Sequence, residues 1–212
     1  MAVAQAQEKP DLPQREVKRK AILTAAVEVF LGAGFGLASM DAIAQRAGVS
    51  KATVYSHFGN KQKLFGAIIK ALCHDLFTPL QTSETGANNL ELTLRRIAEH
   101  FLCLIMDAQI LALYRVVIAE SSRFPEFAHI FYENGPGQTA ENFAPYLCEQ
   151  TELGHLDIAD PRRAAEQFFS LLSGHVHTRA LLGVESHIEA AEMDKHITSA
   201  VATFLRAYRP RS

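Results

Sequence analysis

Between positions 50 and 61 the chain reads Ser50-Lys51-Ala52-Thr53-Val54-Tyr55-Ser56-His57-Phe58-Gly59-Asn60-Lys61. Three hydroxyls, a phenol, an imidazole and two ammonium groups fall in this stretch, and no carboxylate does. Such groups bond to phosphate oxygens and base edges, so the chemistry on offer is recognition of a polyanion rather than bond breaking. Val54 is apolar and can pack inward, and Phe58 can close the core beside it. Lys51, Ala52, Thr53, Tyr55, Ser56 and His57 are then left facing outward. A helix with a free N-terminus and such side chains is what the major groove of double-stranded DNA accepts. Ser39 and Ser50 each precede a short helical run, where a hydroxyl and unpaired backbone N–H groups together suit a phosphate.

The elements that must position these groups follow from the chain's punctuation. Ser39 caps a helix expected over Met40 to Ala47, with Asp41 matching its positive end. Gly48 breaks it, Ser50 caps a second helix over Lys51 to His57, and Gly59-Asn60 breaks that one. Two short helices joined by Ala47-Gly48-Val49 read as a helix-turn-helix over Ser39 to His57. Ile43, Ala44, Ala47, Val49 and Val54 are small or apolar enough to pack the pair closely, and Phe30, Phe35 and Phe58 close the miniature core. A first helix is expected over Arg15 to Leu31, stopped by Gly32 and Gly34. A fourth is expected from Lys61 to about Phe77, stopped by Pro79. Lys61 is expected to reach a flanking phosphate. Arg15, Lys18 and Arg19 either touch the nucleic-acid backbone or minor groove, or form a solvated basic face.

The 212 residues are 48% apolar and 21% charged, which suits a soluble chain with one large or two modest domains. Charge is unevenly placed. Residues 1–65 carry nine Lys/Arg against five Asp/Glu, leaving 12 bases and 18 acids for the remainder. A basic first part on an acidic body fits a polyanion partner for that part alone. No apolar run reaches the roughly 20 residues of a membrane span, and Met1 to Pro13 lacks the apolar core of a signal peptide. Residues 1–14 read as a disordered tail, 15–60 as the helix-turn-helix domain and 61–212 as a helical body. Cys73, Cys103 and Cys148 are odd in number and widely spaced, which favours a reducing cytoplasm and buried thiols over disulfides.

Beyond Pro79 the pattern is helical throughout, so the fold class is all-α. After a polar loop over Gln81 to Asn89, helices are expected over Leu90 to Met106, Gln109 to Ser122, Pro125 to Glu133, Gln138 to Gln150, Arg162 to Leu182 and Ser186 to Tyr208. Phe168, Phe169, Leu171, Leu172, Val176, Ala180, Leu181 and Leu182 surround their helix, which must therefore be covered on several sides. Met193, Ile197, Ala200, Val201, Phe204 and Tyr208 form one stripe on the last helix. Packing both helices against a second copy as a four-helix bundle would bury both, so a homodimer is expected, with Phe204 at its interface.

The stretch from Ala21 to Ile69 resembles the DNA-binding domain of the TetR/AcrR family of bacterial regulators. The resemblance rests on Phe30, Gly34-Phe35, Ile43-Ala44, Ala47-Gly48-Val49-Ser50, Tyr55, His57-Phe58, Lys61 and Leu64. Ala52 replaces the frequent Gly, Val54 the usual Leu, and Gln62-Lys63 the usual acidic pair. Arg115 to Gly137 and Gly154 to Gly174 more weakly resemble the C-terminal domain of the AefR-like subgroup. The resemblance implies a homodimer that occupies a palindromic operator and is released when a small molecule enters the C-terminal domain. It implies near-base contacts from Lys51, Thr53 and Ser56, phosphate contacts from Tyr55, His57 and Lys61, and help from Ser39 and Ser50 at the helix ends.

Candidate effector contacts are the polar residues embedded in apolar helices: His74, His100, Cys103, Arg115, Glu120, Asn142, Tyr146 and His175. Arg115 and Glu120 also suit surface or inter-helix salt links. Abundant Phe and Leu point to an apolar or amphipathic effector, aromatic or acyl. No metal or other cofactor is expected. Cys73-His74-Asp75 and His175-Val176-His177 place neighbours in diverging directions rather than on one chelating face. GxSxG, Walker and HExxH motifs are missing, so no enzyme is expected. A constitutive DNA binder without effector, and an activator rather than a repressor, remain alternatives.

Overall fold

The computed structural model describes residues 13–81, 90–185 and 188–210. The polar loop and most of the N-terminal tail expected above, with Ser186 and His187, lie outside them. All regular structure among the described residues is helical.

The head is built from α1 (Gln14–Leu37), α2 (Met40–Ala47) and α3 (Lys51–Phe58), and α4 (Lys61–Leu72) leads out of it. Each short helix begins on the expected cap. Ser39 Oγ accepts from Ala42 N at 3.1 Å, Ser50 Oγ from Thr53 N at 3.1 Å, and Asn60 Oδ1 from Lys63 N at 2.8 Å. Each such cap contributes about 1 kcal/mol. Gly48, at φ 66°, makes the left-handed turn between α2 and α3.

Two expected boundaries move. Gly32 does not stop α1. The helix continues to Gly34, where φ 72° and ψ 172° put a kink, and one further turn carries Phe35 to Leu37. That turn buries Phe35 among Phe30, Phe65 and Phe127, with the Phe35–Phe127 centroids 4.2 Å apart. Nor does α4 reach Phe77. It ends at Leu72, a 3-10 turn covers His74–Phe77, and a short α5 (Thr78–Gln81) follows.

The body comprises α6 (Leu90–Ile105), α7 (Ala108–Glu120), α8 (Pro125–Asn134), α9 (Pro136–Glu152), α10 (Pro161–Leu181) and α11 (Ala190–Tyr208). Two apolar cores result. One joins α6, α9, α10 and α11. The other joins α1 to α4 with Leu113, Val117, Phe127 and Phe131 of α7 and α8. The head core therefore runs past residue 60 into the body. Alone among the described helices, α1 is by itself long and apolar enough to cross a bilayer, yet its Ile22, Ala26 and Phe30 are fully buried in the head core.

The α11 stripe faces inward. Ile197, Ala200, Val201 and Phe204 are buried within the same chain, and Met193 and Tyr208 pack against that core. Phe204 is thus a core residue, not an interface residue as its spacing suggested. Helical period shows that a face is covered without showing by what. On α10, Leu171 and the adjoining Leu182 stay uncovered, at 37% and 75% exposure. The expectation of buried thiols fails for Cys103 and Cys148, which are exposed, and Cys73 is half-buried.

Candidate nucleic-acid interface and effector cavity

The outward surface of α3 holds Lys51, Ala52, Tyr55 and Ser56 exposed, with Thr53 and His57 half-buried. The first turn of α1 runs beside it. Gln14, Arg15, Lys18, Ala52, Thr53, Ser56 and His57 line one shallow groove, so two of the three uncertain basic residues join the α3 face. Arg19 instead lies over the Phe58 ring at 5.7 Å. Gln14 was not singled out from sequence, because nothing in its type or spacing distinguishes it.

Local bonds hold this face in shape. Ser50 Oγ and Thr53 Oγ1 are 2.8 Å apart, which ties the Thr53 hydroxyl to the cap. Lys51 Nζ sits 2.8 Å from Asp41 of α2 and over the Tyr55 ring. The Asp41 carboxylate, by hydrogen bond and charge, raises the Lys51 pKa above its usual value. The pair is fully exposed, so salt screens it and an approaching phosphate or base can replace Asp41. Arg46 and Glu28 pair across α2 and α1.

Lys61 is placed differently from the expectation. Its Nζ donates to Phe35 O at 2.5 Å, Ala38 O at 3.0 Å and Gly36 O at 3.4 Å, and stands 4.4 Å from the Phe35 ring centre. Burial lowers its pKa, against the opposing pull of Glu120 and Glu126. The carbonyls ending α1 are the negative pole of its dipole, and an ammonium satisfies them. Lys61 thus ties α4 to α1 in this conformation instead of standing free for phosphate.

A cavity of about 660 Å³ lies between the two cores. Its wall includes Ile69 and Leu72 of α4, the following Cys73, Phe101 of α6, Tyr114 of α7, Phe131 of α8, and Ser170, Ser173 and His177 of α10. Gly174, at φ 31° and ψ −140°, kinks α10 beside this wall. Burial lifts the Cys73 thiol to about 11 and the Tyr114 phenol to about 12, and it lowers His177.

None of His74, Cys103, Arg115, Asn142, Tyr146 and His175 lines this cavity. His74 is exposed beside Asp75. Cys103 and His100 share a separate shallow groove. Arg115 donates to Ala180 O at 2.7 Å and Leu181 O at 2.9 Å, closing the end of α10. Asn142 is on the surface, accepting from Gln138, and His175 is exposed. Tyr146 stacks on Phe143 in the other core. Polarity inside an apolar helix does not tell which face a residue occupies. A better signal was available, since Ser170, Ser173, His177 and Leu181 recur at spacings of three and four and form one stripe. Glu120, expected in a salt link, accepts from the Gly36 backbone N–H at 3.0 Å.

No group of three or more potential metal ligands occurs among the described residues.

Residues 22–68 match the family model for bacterial regulatory proteins of the tetR family, and residues 92–210 match that for the AefR-like transcriptional repressor C-terminal domain. The flavonoid-responsive regulator FrrA is 36% identical, over 92% of this chain and 98% of its own, with a TM-score of 0.74. A TetR-family regulator from Mesorhizobium loti is 28% identical, over 94% of this chain and all of its own, with a TM-score of 0.75. Among curated proteins, the transcriptional activator FasR of Mycolicibacterium smegmatis is 36% identical over 87 residues, covering 41% of this chain and 40% of FasR. The regulator SrpR of Pseudomonas putida is 39% identical over 69 residues, 31% of this chain and 32% of SrpR. The matches thus span well under half the length of these curated relatives.

Proposed function

The chain belongs to the TetR family of transcriptional regulators and carries their DNA-binding domain, and from that premise we propose that it is an effector-released repressor, acting in the cytoplasm as a homodimer on a palindromic operator. One observation carries the effector reading. Ile69, Leu113, Val117 and Phe131 belong both to the head core and to the cavity wall. A molecule that fills the cavity therefore presses on the side chains that seat α1 and α4. It releases DNA to the extent that it binds the released arrangement more tightly, and a swing from 1:99 to 99:1 needs about 5.5 kcal/mol of such difference.

The α3 face supports DNA reading through Lys51, Ala52, Thr53, Tyr55, Ser56 and His57, with Ser39 and Ser50 at the helix ends. The uncovered Leu171 and Leu182, with exposed Val184, support a second copy against the end of α10. Two heads then meet half-sites about one helical turn apart. The repressor reading draws on the family description matched by residues 92–210, while FasR, an activator, resembles a shorter part. The aromatic wall of Phe101, Tyr114, Phe131, Tyr132 and Phe169 suits an amphipathic aromatic effector. The flavonoid response in FrrA's name favours the same class here.

The decisive experiment titrates the operator complex, followed by fluorescence anisotropy, with a flavonoid panel. Loss of operator binding at saturating ligand is the expected result. Binding to the cavity with the DNA complex left intact would refute effector release.

For the DNA face, Thr53→Ala is expected to weaken operator binding by about 1–3 kcal/mol and to relax preference at one base pair in each half-site. Affinity for random DNA should hold. Equal weakening on both DNAs would remove Thr53 from base reading.

A further inference from the structure

Among the described residues, His177 Nε2 is the buried side-chain nitrogen or oxygen that lacks a hydrogen-bond partner. It belongs to a residue of the cavity wall, with the Tyr114 ring edge-on to the imidazole at 4.9 Å between centroids. An unpaired buried nitrogen costs about as much as a lost hydrogen bond, so its persistence in a cavity wall marks a place where something else supplies the partner. The two serine hydroxyls of the wall are committed elsewhere. Ser173 donates to Phe169 O at 2.9 Å, and Ser170 to Glu166 O at 2.7 Å, each within α10.

Charge on the wall is one-sided. No Lys or Arg lines the cavity among the described residues, and its carboxylate, Glu166, is paired with Arg162. Burial disfavours the charged forms of the His177 imidazole, the Tyr114 phenol and the Cys73 thiol. A carboxylate in this cavity would lose its water and gain no cation. A neutral ring system loses little and packs against Phe101, Phe131 and Phe169.

We infer that the cavity takes an uncharged, ring-bearing molecule whose buried hydroxyl hydrogen-bonds with His177 Nε2, and that it rejects carboxylates of similar size, fatty acids included. This rests on the cavity being the effector site. His177 is then the residue that reads the effector, while the apolar wall sets its bulk.

Calorimetric titration of the full chain with biphenyl, para-hydroxybiphenyl, biphenyl carboxylate and decanoate tests it. In the unmodified protein the hydroxyl compound should bind about ten- to hundred-fold more tightly than biphenyl, as one buried hydrogen bond implies. His177→Phe should erase that difference while biphenyl affinity holds. His177→Gln, which restores a polar atom, should recover part of it, and thermal melts of both variants verify folding. Equal affinity for biphenyl and its hydroxyl derivative, as an imidazole already served by water would give, overturns the inference. So does failure of every ring compound to bind, or tighter binding of either carboxylate. The regulatory reading fails separately. If the hydroxyl compound binds through His177 but leaves the operator complex intact, recognition stands and release falls. If decanoate binds and dissociates DNA, release stands and this inference falls.

Discussion

Phe204→Glu abolishes the folded protomer rather than the dimer. Phe204 is 1% exposed, edge-on to Phe168 at 5.1 Å and tilted against Tyr208 at 4.9 Å, in the core that joins α6, α10 and α11. Truncating such a phenylalanine costs about 3–5 kcal/mol. A carboxylate put there finds no cation among its aromatic neighbours, so the loss exceeds about 4–5 kcal/mol and approaches the whole stability of a domain. Expression into inclusion bodies, or loss of the cooperative circular-dichroism melt, is the expected result. Leu182→Glu tests the proposed interface. Leu182 is uncovered within its own chain, so this change should leave the melt of the protomer intact and shift the sedimentation coefficient to that of a monomer. A Phe204→Glu protein that melts normally and sediments as a monomer would return Phe204 to the interface.

The contrast between these two residues shows what the sequence could carry. Cap and turn chemistry is local, so Ser39, Gly48, Ser50 and Asn60 located α2, α3 and α4 from their neighbours alone. A stripe such as Ile197, Val201 and Phe204 reports burial, but the partner that buries it lies about thirty or a hundred residues away in the chain, on α10 and α6. The same gap separates the expected effector contacts from the cavity. Arg115, embedded in an apolar helix, is taken up by carbonyls of α10, a pairing that no local pattern encodes. Sequence presents His177 only as half of a poor metal pair, because its value lies in an unpaired buried nitrogen on a cavity-wall residue. Lys61 was matched to a phosphate role by position in the chain. The carbonyls it meets became available because α1 runs one turn past Gly34.

Gly34 lies against Glu120 of the body, and Gly34→Val is expected to lower stability by about 3–5 kcal/mol. Two costs combine. At φ 72° and ψ 172° the backbone occupies a region essentially closed to side chains, worth about 1–3 kcal/mol. A Cβ there would also lie 2.3 Å from Glu120 Oε1. The Glu120 carboxylate must then swing away and release the Gly36 N–H, a charged hydrogen bond worth about 1.5–3 kcal/mol. The double variant Gly34→Ala with Glu120→Ala separates the two. It relieves the collision and keeps the backbone strain, so it should remain about 1–3 kcal/mol less stable than Glu120→Ala alone. Urea unfolding of the four proteins measures this, and equal midpoints for the double variant and Glu120→Ala would show that the kink tolerates a side chain. The consequence for DNA follows from what the turn carries. Phe35 stacks on Phe127 of α8, and Lys61 bonds the carbonyls of Phe35, Gly36 and Ala38. Displacing Glu120 loosens the seat of α1 on α7 while the α3 face keeps every group proposed to meet DNA. On the proposed dimer, a Gly34 variant that still folds should therefore bind random DNA as before and discriminate the operator poorly, because two half-sites are read together only when both heads are held at fixed spacing.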